Sequence, residues 1–287
     1  APVISSDATF SAAENQTAIG PVVATDAEGD SLTYAVSGAE LAISSSGVLT
    51  FVAAPDFETK ATYTATVTVN DGIFNISQAI TVSVTNVNDI APVISSDATF
   101  SAAENQTSIG PVVATDAEGD SLTYKVSGTE LAISSSGVLT FVAAPDYETK
   151  SSYTATLTVN DGVNDTTQAI TVSVTNVNDV APVITSAATF SAAENQTAIG
   201  SVVATDAEDD PLSYKVSGTE LAISSTGVLT FVAAPDYETK ASYTATVTVN
   251  DGVNDTAQAI TVSVTNVNDI APVISSDATF SAAENQT

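Results

Sequence analysis

Residues 62–69 read TYTATVTV. Tyr63, Ala65, Val67 and Val69 share one face of an extended chain, and Thr62, Thr64, Thr66 and Thr68 share the other, because successive strand side chains point to opposite faces. Period-two alternation with β-branched residues marks a half-buried strand. Working outward, Ile80, Val82 and Val84 alternate with Thr81, Ser83 and Thr85. Shorter runs at 19–25, 32–36 and 47–52 read the same way, and no segment carries a helical stripe. Turn-forming clusters separate these runs: Glu28-Gly29-Asp30, Ser44-Ser45-Ser46-Gly47, Ala54-Pro55-Asp56 and Asn70-Asp71-Gly72. About seven short strands in such a length predict a β-sandwich with Greek-key connections. The threonine row is read as the solvent face of a sandwich strand, in preference to an ice- or sugar-binding face.

The pattern then repeats. APVI begins at Ala1, Ala91, Ala181 and Ala271, a period of 90 residues without insertion or deletion. Units one and two differ at 13 of 90 positions, so the same fold is expected in each. The period exceeds that of solenoid repeats and suits a small independent domain. The expected division is 1–90, 91–180 and 181–270, with 271–287 as the first strand of a fourth repeat. The boundary segment 86–92, NVNDIAP, is short and lacks glycine. Pro92 removes a backbone donor and biases Ala91 toward extended conformations, which predicts limited freedom between neighbours. The chain reads as a piece of a longer array, with targeting signals expected outside it. No apolar run approaches 20 residues, so no membrane insertion is expected in this segment.

Composition removes many chemistries. The chain has no Cys and no His, five Lys+Arg and 34 Asp+Glu, for a net charge of −29. Thiolate and imidazole metal sites and His-dependent nucleophilic catalysis are excluded. Nucleic acid, which is bound through basic residues, is not an expected partner. Hard cations with oxygen ligands fit this surface. The acidic residues recur in fixed clusters: Glu14 in AENQT, Asp26-Ala27-Glu28-Gly29-Asp30, Asp56-Phe57-Glu58, Asn70-Asp71-Gly72 and Asn86-Val87-Asn88-Asp89. In an extended segment residues i and i+2 point the same way, so each D-x-E can aim two carboxylates at one cation.

These clusters, in this order, resemble the cadherin repeat in its bacterial tandem form. AENQT resembles the family's P-E-N segment and ATDAEGD its A-x-D-x-D. PDFE and PDYE resemble D-R-E, TVNDG resembles A-x-D-x-G, and TNVNDIAPVI resembles the D-x-N-D-N-A-P linker. The resemblance implies an all-β chain of tandem Greek-key (cadherin/Ig-like) sandwiches joined end to end, with calcium (Ca2+) at the junctions. It assigns to the first junction Glu14, Asp56, Glu58, Asn88, Asp89, Asp116, Glu118 and Asp161. To the second it assigns Glu104, Asp146, Glu148, Asn178, Asp179, Asp206, Glu208 and Asp251. Outer half-sites fall on Asp26, Glu28 and Asp71, and on Glu194, Asp236, Glu238, Asn268 and Asp269. Ala13, Phe57, Asn86, Glu118 and Ile90 depart from the family pattern, and the expected number is two or three ions per junction.

The function this implies is a calcium-rigidified extender or adhesion region of an extracellular bacterial surface or matrix protein, not an enzyme. Its partners would be calcium ions and neighbouring repeats. The alternative is calcium-dependent homophilic adhesion or filament assembly with like chains, segment 271–287 inserting into a neighbour's sheet edge. Singly, Asp71 reads as a hairpin residue and Asp26, Glu28 and Asp30 as a solvated loop. Asp56 and Glu58 also have the spacing of a glycosidase pair, which their repetition without an evident cleft disfavours. The sequons at Asn15 and Asn164 are read as coincidental.

Overall fold

The structure is a computed structural model that describes residues 1–276, 278, 279, 281 and 284. It has two compact units, Ala1–Thr175 and Asn176–Thr287. Among the described residues every regular element is a strand. The same nine-strand order occurs three times, twice in the first unit and once in the second.

In repeat 1, strands β2 (Thr9–Ala13), β9 (Asn75–Thr85), β8 (Thr62–Asn70) and β5 (Thr33–Val36) form one sheet in the order β2-β9-β8-β5. Strands β3 (Ala18–Pro21), β7 (Val48–Phe51) and β6 (Leu41–Ile43) form the facing sheet in the order β3-β7-β6. β1 (Val3–Ile4) pairs with β4 (Ala24–Thr25). Only β2 and β9 run parallel; the other pairs are antiparallel. The alternation read from 62–69 sets the register. Val67 and Val69 are fully enclosed, and Ile80, Val82 and Val84 beside them are buried. They meet Leu41, Leu49 and Phe51 from the facing sheet in one core. Phe51 and Tyr63 close it edge to face, with ring centroids 5.0 Å apart.

The two facing sheets hold the seven strands expected, four and three, with the short pair β1–β4 beside them. One reading needs correction. Residues 19–25 were read as one strand, but the chain leaves the β3 ladder after Pro21 and forms β4 separately. The cause is local. The β3–β7 register slips between Ala18 and Gly20, Pro21 lacks an N–H, and the Val22 N–H turns to the Gly47 carbonyl at 2.8 Å. Gly47 permits this with φ 83; a Cβ there would lie 2.7 Å from the Val22 carbonyl oxygen. β1 and β2 are likewise separate elements, β1 pairing with β4 and β2 with β9. Within 271–287, the segment expected to start a fourth repeat, no described residue is in a strand. Residues 277, 280, 282, 283 and 285–287 lie outside the described residues.

Packing this close makes a measurable prediction. Leu157, the Val67 counterpart in repeat 2, has no solvent access. Leu157→Ala is expected to cost about 2–5 kcal/mol in chemical denaturation. Thr154→Ser on the solvent face should stay within about 0.5 kcal/mol. A loss below about 1 kcal/mol for Leu157→Ala would contradict a tightly packed core.

Candidate metal centre

The strand ends place the carboxylates. Glu14 follows β2 directly and is buried. Its Oε2 accepts the Phe57 N–H at 2.8 Å and its Oε1 accepts the Val87 N–H at 2.7 Å. One side chain therefore ties the 55–58 turn to the first residues after β9. Asn15 holds the turn with φ 60, and its Nδ2 donates to Asp89 Oδ2. Asparagine tolerates this left-handed conformation better than most residues.

From repeat 2, Glu118 reaches back to the same linker. Its Oε2 accepts the N–H groups of Asp89 at 3.1 Å and Ile90 at 2.9 Å. The result is four carboxylates, Glu14, Glu58, Asp89 and Glu118, each with an oxygen within 4.8 Å of the others. No lysine joins them. Lys60, Lys150 and Lys240 pair with Glu40, Glu130 and Glu220 elsewhere, each ammonium over a tyrosine ring. Unit charges about 4 Å apart repel by roughly 1–4 kcal/mol per pair, depending on the effective dielectric.

The other first-junction residues take different places. Asp56 sits beside Glu58, but its oxygens accept the Thr59 N–H and Oγ1–H, each at 3.0 Å. Asn88 donates from Nδ2 to the Asp161 carbonyl at 3.2 Å and accepts from Asn164 Nδ2 at 2.8 Å. Asp161 is buried, and its Oδ1 accepts the N–H groups of Val163 and Asn164 at 2.7 and 2.6 Å. Asp116 Oδ1 accepts the N–H groups of Glu118 and Asp120. Its Oδ2 is enclosed with no partner.

Within the first unit the outgoing end of repeat 2 repeats the first: buried Glu104 accepts the Tyr147 N–H at 2.7 Å, and Asp146 accepts from Thr149. Glu148 follows in the same turn. The second unit repeats the linker. Glu208 Oε2 accepts from Asp179 and Val180 N–H, Asn178 donates to the Asp251 carbonyl, and Asp206 Oδ1 accepts the Glu208 N–H. At the outgoing end of repeat 3, Glu194, Asp236 and Glu238 converge and Asn195 holds Asp269 at 2.6 Å. Asn268, the Asn88 counterpart, lies in the exposed segment after β27 (Asp255–Thr265). At the incoming end of repeat 1, Asp26, Glu28 and Asp71 gather around the α-ammonium of Ala1.

Sequence reading passed over three ligand-type residues. Asp120 stands in the 116–120 cluster, Asn164 bridges the linker to Asp161, and Asn15 anchors Asp89. The D-x-E-x-D spacing held a signal for Asp120, since it extends the i, i+2 series by one step.

The donor set suits a hard divalent cation. It is all oxygen, mostly carboxylate, and includes an enclosed oxygen that meets no hydrogen-bond donor. Asp116, Glu118 and Asp161, with Asn88 and Asp89, are the residues that would hold such an ion beside Glu14 and Glu58.

Comparison with known proteins follows from this geometry. The family model described as Bacterial Ig domain matches residues 1–85, 88–175 and 178–265. The chain belongs to this family. Its bacterial Ig repeats share their fold with cadherin ectodomains. A crystal structure of mouse cadherin-23 EC22-24 superposes with a TM-score of 0.74 at 20% identity, covering 93% of this chain and 99% of that one. Mouse protocadherin-24 EC1-3 gives 0.72 at 19% identity, covering 91% and 98%. The protocadherin gammaB4 extracellular domain gives 0.72 at 23% identity, covering 95% and 51%. At these identities the likeness is one of fold, which is the level at which the cadherin resemblance holds. Among curated proteins, chitinase A of Pseudoalteromonas piscicida is 35% identical over 144 residues, 49% of this chain and 18% of that protein.

The bacterial Ig repeats carry opposed carboxylate shifts. Burial, then the charges of Glu14, Glu118 and Asp56, raises the pKa of Glu58. At Asp161 and Asp251 burial is the largest single influence and would raise the pKa, but donated hydrogen bonds from the Asn and Val beside each outweigh it, and both are lowered. Asp56 is lowered, first by its hydrogen bonds from Thr59. A raised carboxylate contributes stability below its ordinary pKa and loses it as pH rises; a lowered one contributes above and loses it as pH falls. In calcium-free buffer the thermal midpoint should therefore rise as pH falls from neutral through the raised value of Glu58. It should then drop below the ordinary carboxylate range as Asp56, Asp161 and Asp251 protonate. A steady decline from neutral pH, unchanged by Glu58→Gln, would contradict carboxylate crowding at Glu58.

Proposed function

We propose that this chain is a run of calcium-stiffened repeats that extends, or mediates adhesion by, a large extracellular bacterial surface or matrix protein. The observation that carries this reading is the convergence of Glu14, Glu58, Asp89 and Glu118 at the first linker. Glu14 and Glu58 come from repeat 1, Asp89 from the linker and Glu118 from repeat 2. Without a cation these groups repel and favour separation of the two repeats. A divalent ion bound by oxygens from all three segments turns the repulsion into a bridge.

Membership of the bacterial Ig family and the cadherin-like fold support an adhesion or extender role. Near-identity of the repeats suits a part whose product is length rather than a unique surface. The role is not catalytic: the chain has no His or Cys, and its acidic groups recur at linkers rather than in a cleft. Calcium and neighbouring repeats are its partners, and an extracellular setting matches affinities of about 10⁻⁴–10⁻³ M typical of extracellular calcium modules. Among the described residues no helix is long and apolar enough to cross a membrane.

Small-angle scattering and sedimentation velocity in millimolar calcium and in calcium-free buffer test this. A monomer that becomes longer and more uniform in calcium is expected, with a midpoint at about 10⁻⁴–10⁻³ M. Glu14→Gln combined with Glu58→Gln should shift that midpoint upward by about tenfold or more. Identical dimensions in both buffers would overturn the proposal. Calcium-driven growth into larger species would replace the spacer reading with self-association.

A further inference from the structure

The turn between β8 and β9 reads NDGIFNIS over residues 70–77. Its counterparts read NDGVNDTT over 160–167 and NDGVNDTA over 250–257. The three agree through the glycine and then part. Phe74 stands where repeats 2 and 3 have Asn164 and Asn254, and Ile76 where they have Thr166 and Thr256.

In repeat 2 this asparagine meets the linker. Asn164 Nδ2 donates to Asn88 Oδ1 at 2.8 Å and to Asp161 Oδ2 at 3.2 Å. Asn88 Nδ2 donates in turn to the Asp161 carbonyl at 3.2 Å. The partners fix which way each amide faces. Carboxylate and carbonyl oxygens only accept, so the atom of each asparagine that faces Asp161 is the nitrogen. Asn88 is then left with its oxygen toward Asn164. Both asparagines are half-buried, and Thr166 Oγ1 adds a bond to the carbonyl of Pro92.

Repeat 3 builds the same ring on its own linker. Asn254 Nδ2 donates to Asn178 Oδ1 at 2.9 Å and to Asp251 Oδ2 at 3.2 Å, while Asn178 Nδ2 donates to the Asp251 carbonyl at 3.2 Å. Every donor and acceptor in the ring belongs to the chain itself, so the ring closes without an ion. Repeat 1 cannot form it. Phenylalanine has no donor, and a linker asparagine seated on Phe74 would keep an amide oxygen half-buried and unpaired, which is costly.

We propose that Asn164 and Asn254 are the specificity-determining residues of repeat docking: each recognises the second asparagine of an N-V-N-D linker and latches it to the following repeat without calcium. By the same rule repeat 1, with Phe74, is not built to follow an N-V-N-D linker. Repeats that are nearly identical elsewhere are therefore not interchangeable in order. The latch acts through neutral amides and does not need the linker carboxylates to hold an ion.

The chain has no cysteine, so nitroxide labels can be placed at Thr64→Cys and Thr154→Cys on the exposed threonine faces of repeats 1 and 2. Pulsed electron paramagnetic resonance on the full chain then reports how these two repeats are held. In calcium-free buffer Asn164→Phe is expected to lower the ratio of docked to undocked chains by about three- to tenfold, the worth of one or two ordinary hydrogen bonds. Asn88→Ala should do the same. The two changes together should do no more than either alone, because they remove one shared contact. Asn254→Phe, the same change in repeat 3, should leave this distance distribution as it is. An unchanged distribution for Asn164→Phe, or effects of the two variants that simply multiply, would overturn the proposal. If calcium narrows the parent's distribution while Asn164→Phe alters nothing without it, the latch fails and the calcium reading stands. If calcium has no effect while both asparagine variants loosen the pair, the calcium reading fails and the latch stands.

Discussion

The central constraint is the crowding of like charge around a linker too short to relieve it. Glu14 cannot turn away, because its two oxygens hold the N–H groups of Phe57 and Val87. Glu118 is fixed by the N–H groups of Asp89 and Ile90. The hydrogen bonds that define the linker's path are thus the ones that hold the carboxylates together. Backbone geometry and electrostatic repulsion oppose each other at one place, and a bound cation reconciles them.

The sandwich is the frame that makes this opposition possible. Alternating Val, Ile and Tyr residues bury one face of β8 and β9, and the enclosed core leaves the strand ends little freedom. Glu14, Asp56 and Glu58 sit at one end of the repeat, and Asp26, Glu28 and Asp71 sit at the other. Every repeat therefore has an acidic outgoing end and an acidic incoming end. Three of the five lysines neutralise neither end, because they pair with glutamates over tyrosine rings elsewhere on the repeat.

Much of this was legible in the residues. The two-residue period of TYTATVTV predicted a strand with Val67 and Val69 inside, because burial on one face of a pleated strand leaves no other register. The resemblance of the acidic clusters to the cadherin repeat implied which strand ends would meet. Less legible were features set by hydrogen bonding rather than side-chain pattern. The break of 19–25 depends on where the Val22 N–H finds its acceptor, and no periodicity encodes that. Asp56 and Glu58 look equivalent as D-x-E, yet Thr59 occupies both oxygens of Asp56. Asp120 was quoted within its cluster but not singled out. Its distinction, an enclosed and unpartnered oxygen, exists only once the loop has closed.

The account's central claim is that the carboxylates at the first linker are a cation site and not a solvated acidic surface. An anomalous difference map from crystals grown in calcium tests it most directly. The account predicts calcium density among Glu14, Glu58, Asp89 and Glu118. Ordered water there, with no anomalous signal and the same side-chain positions, would contradict it.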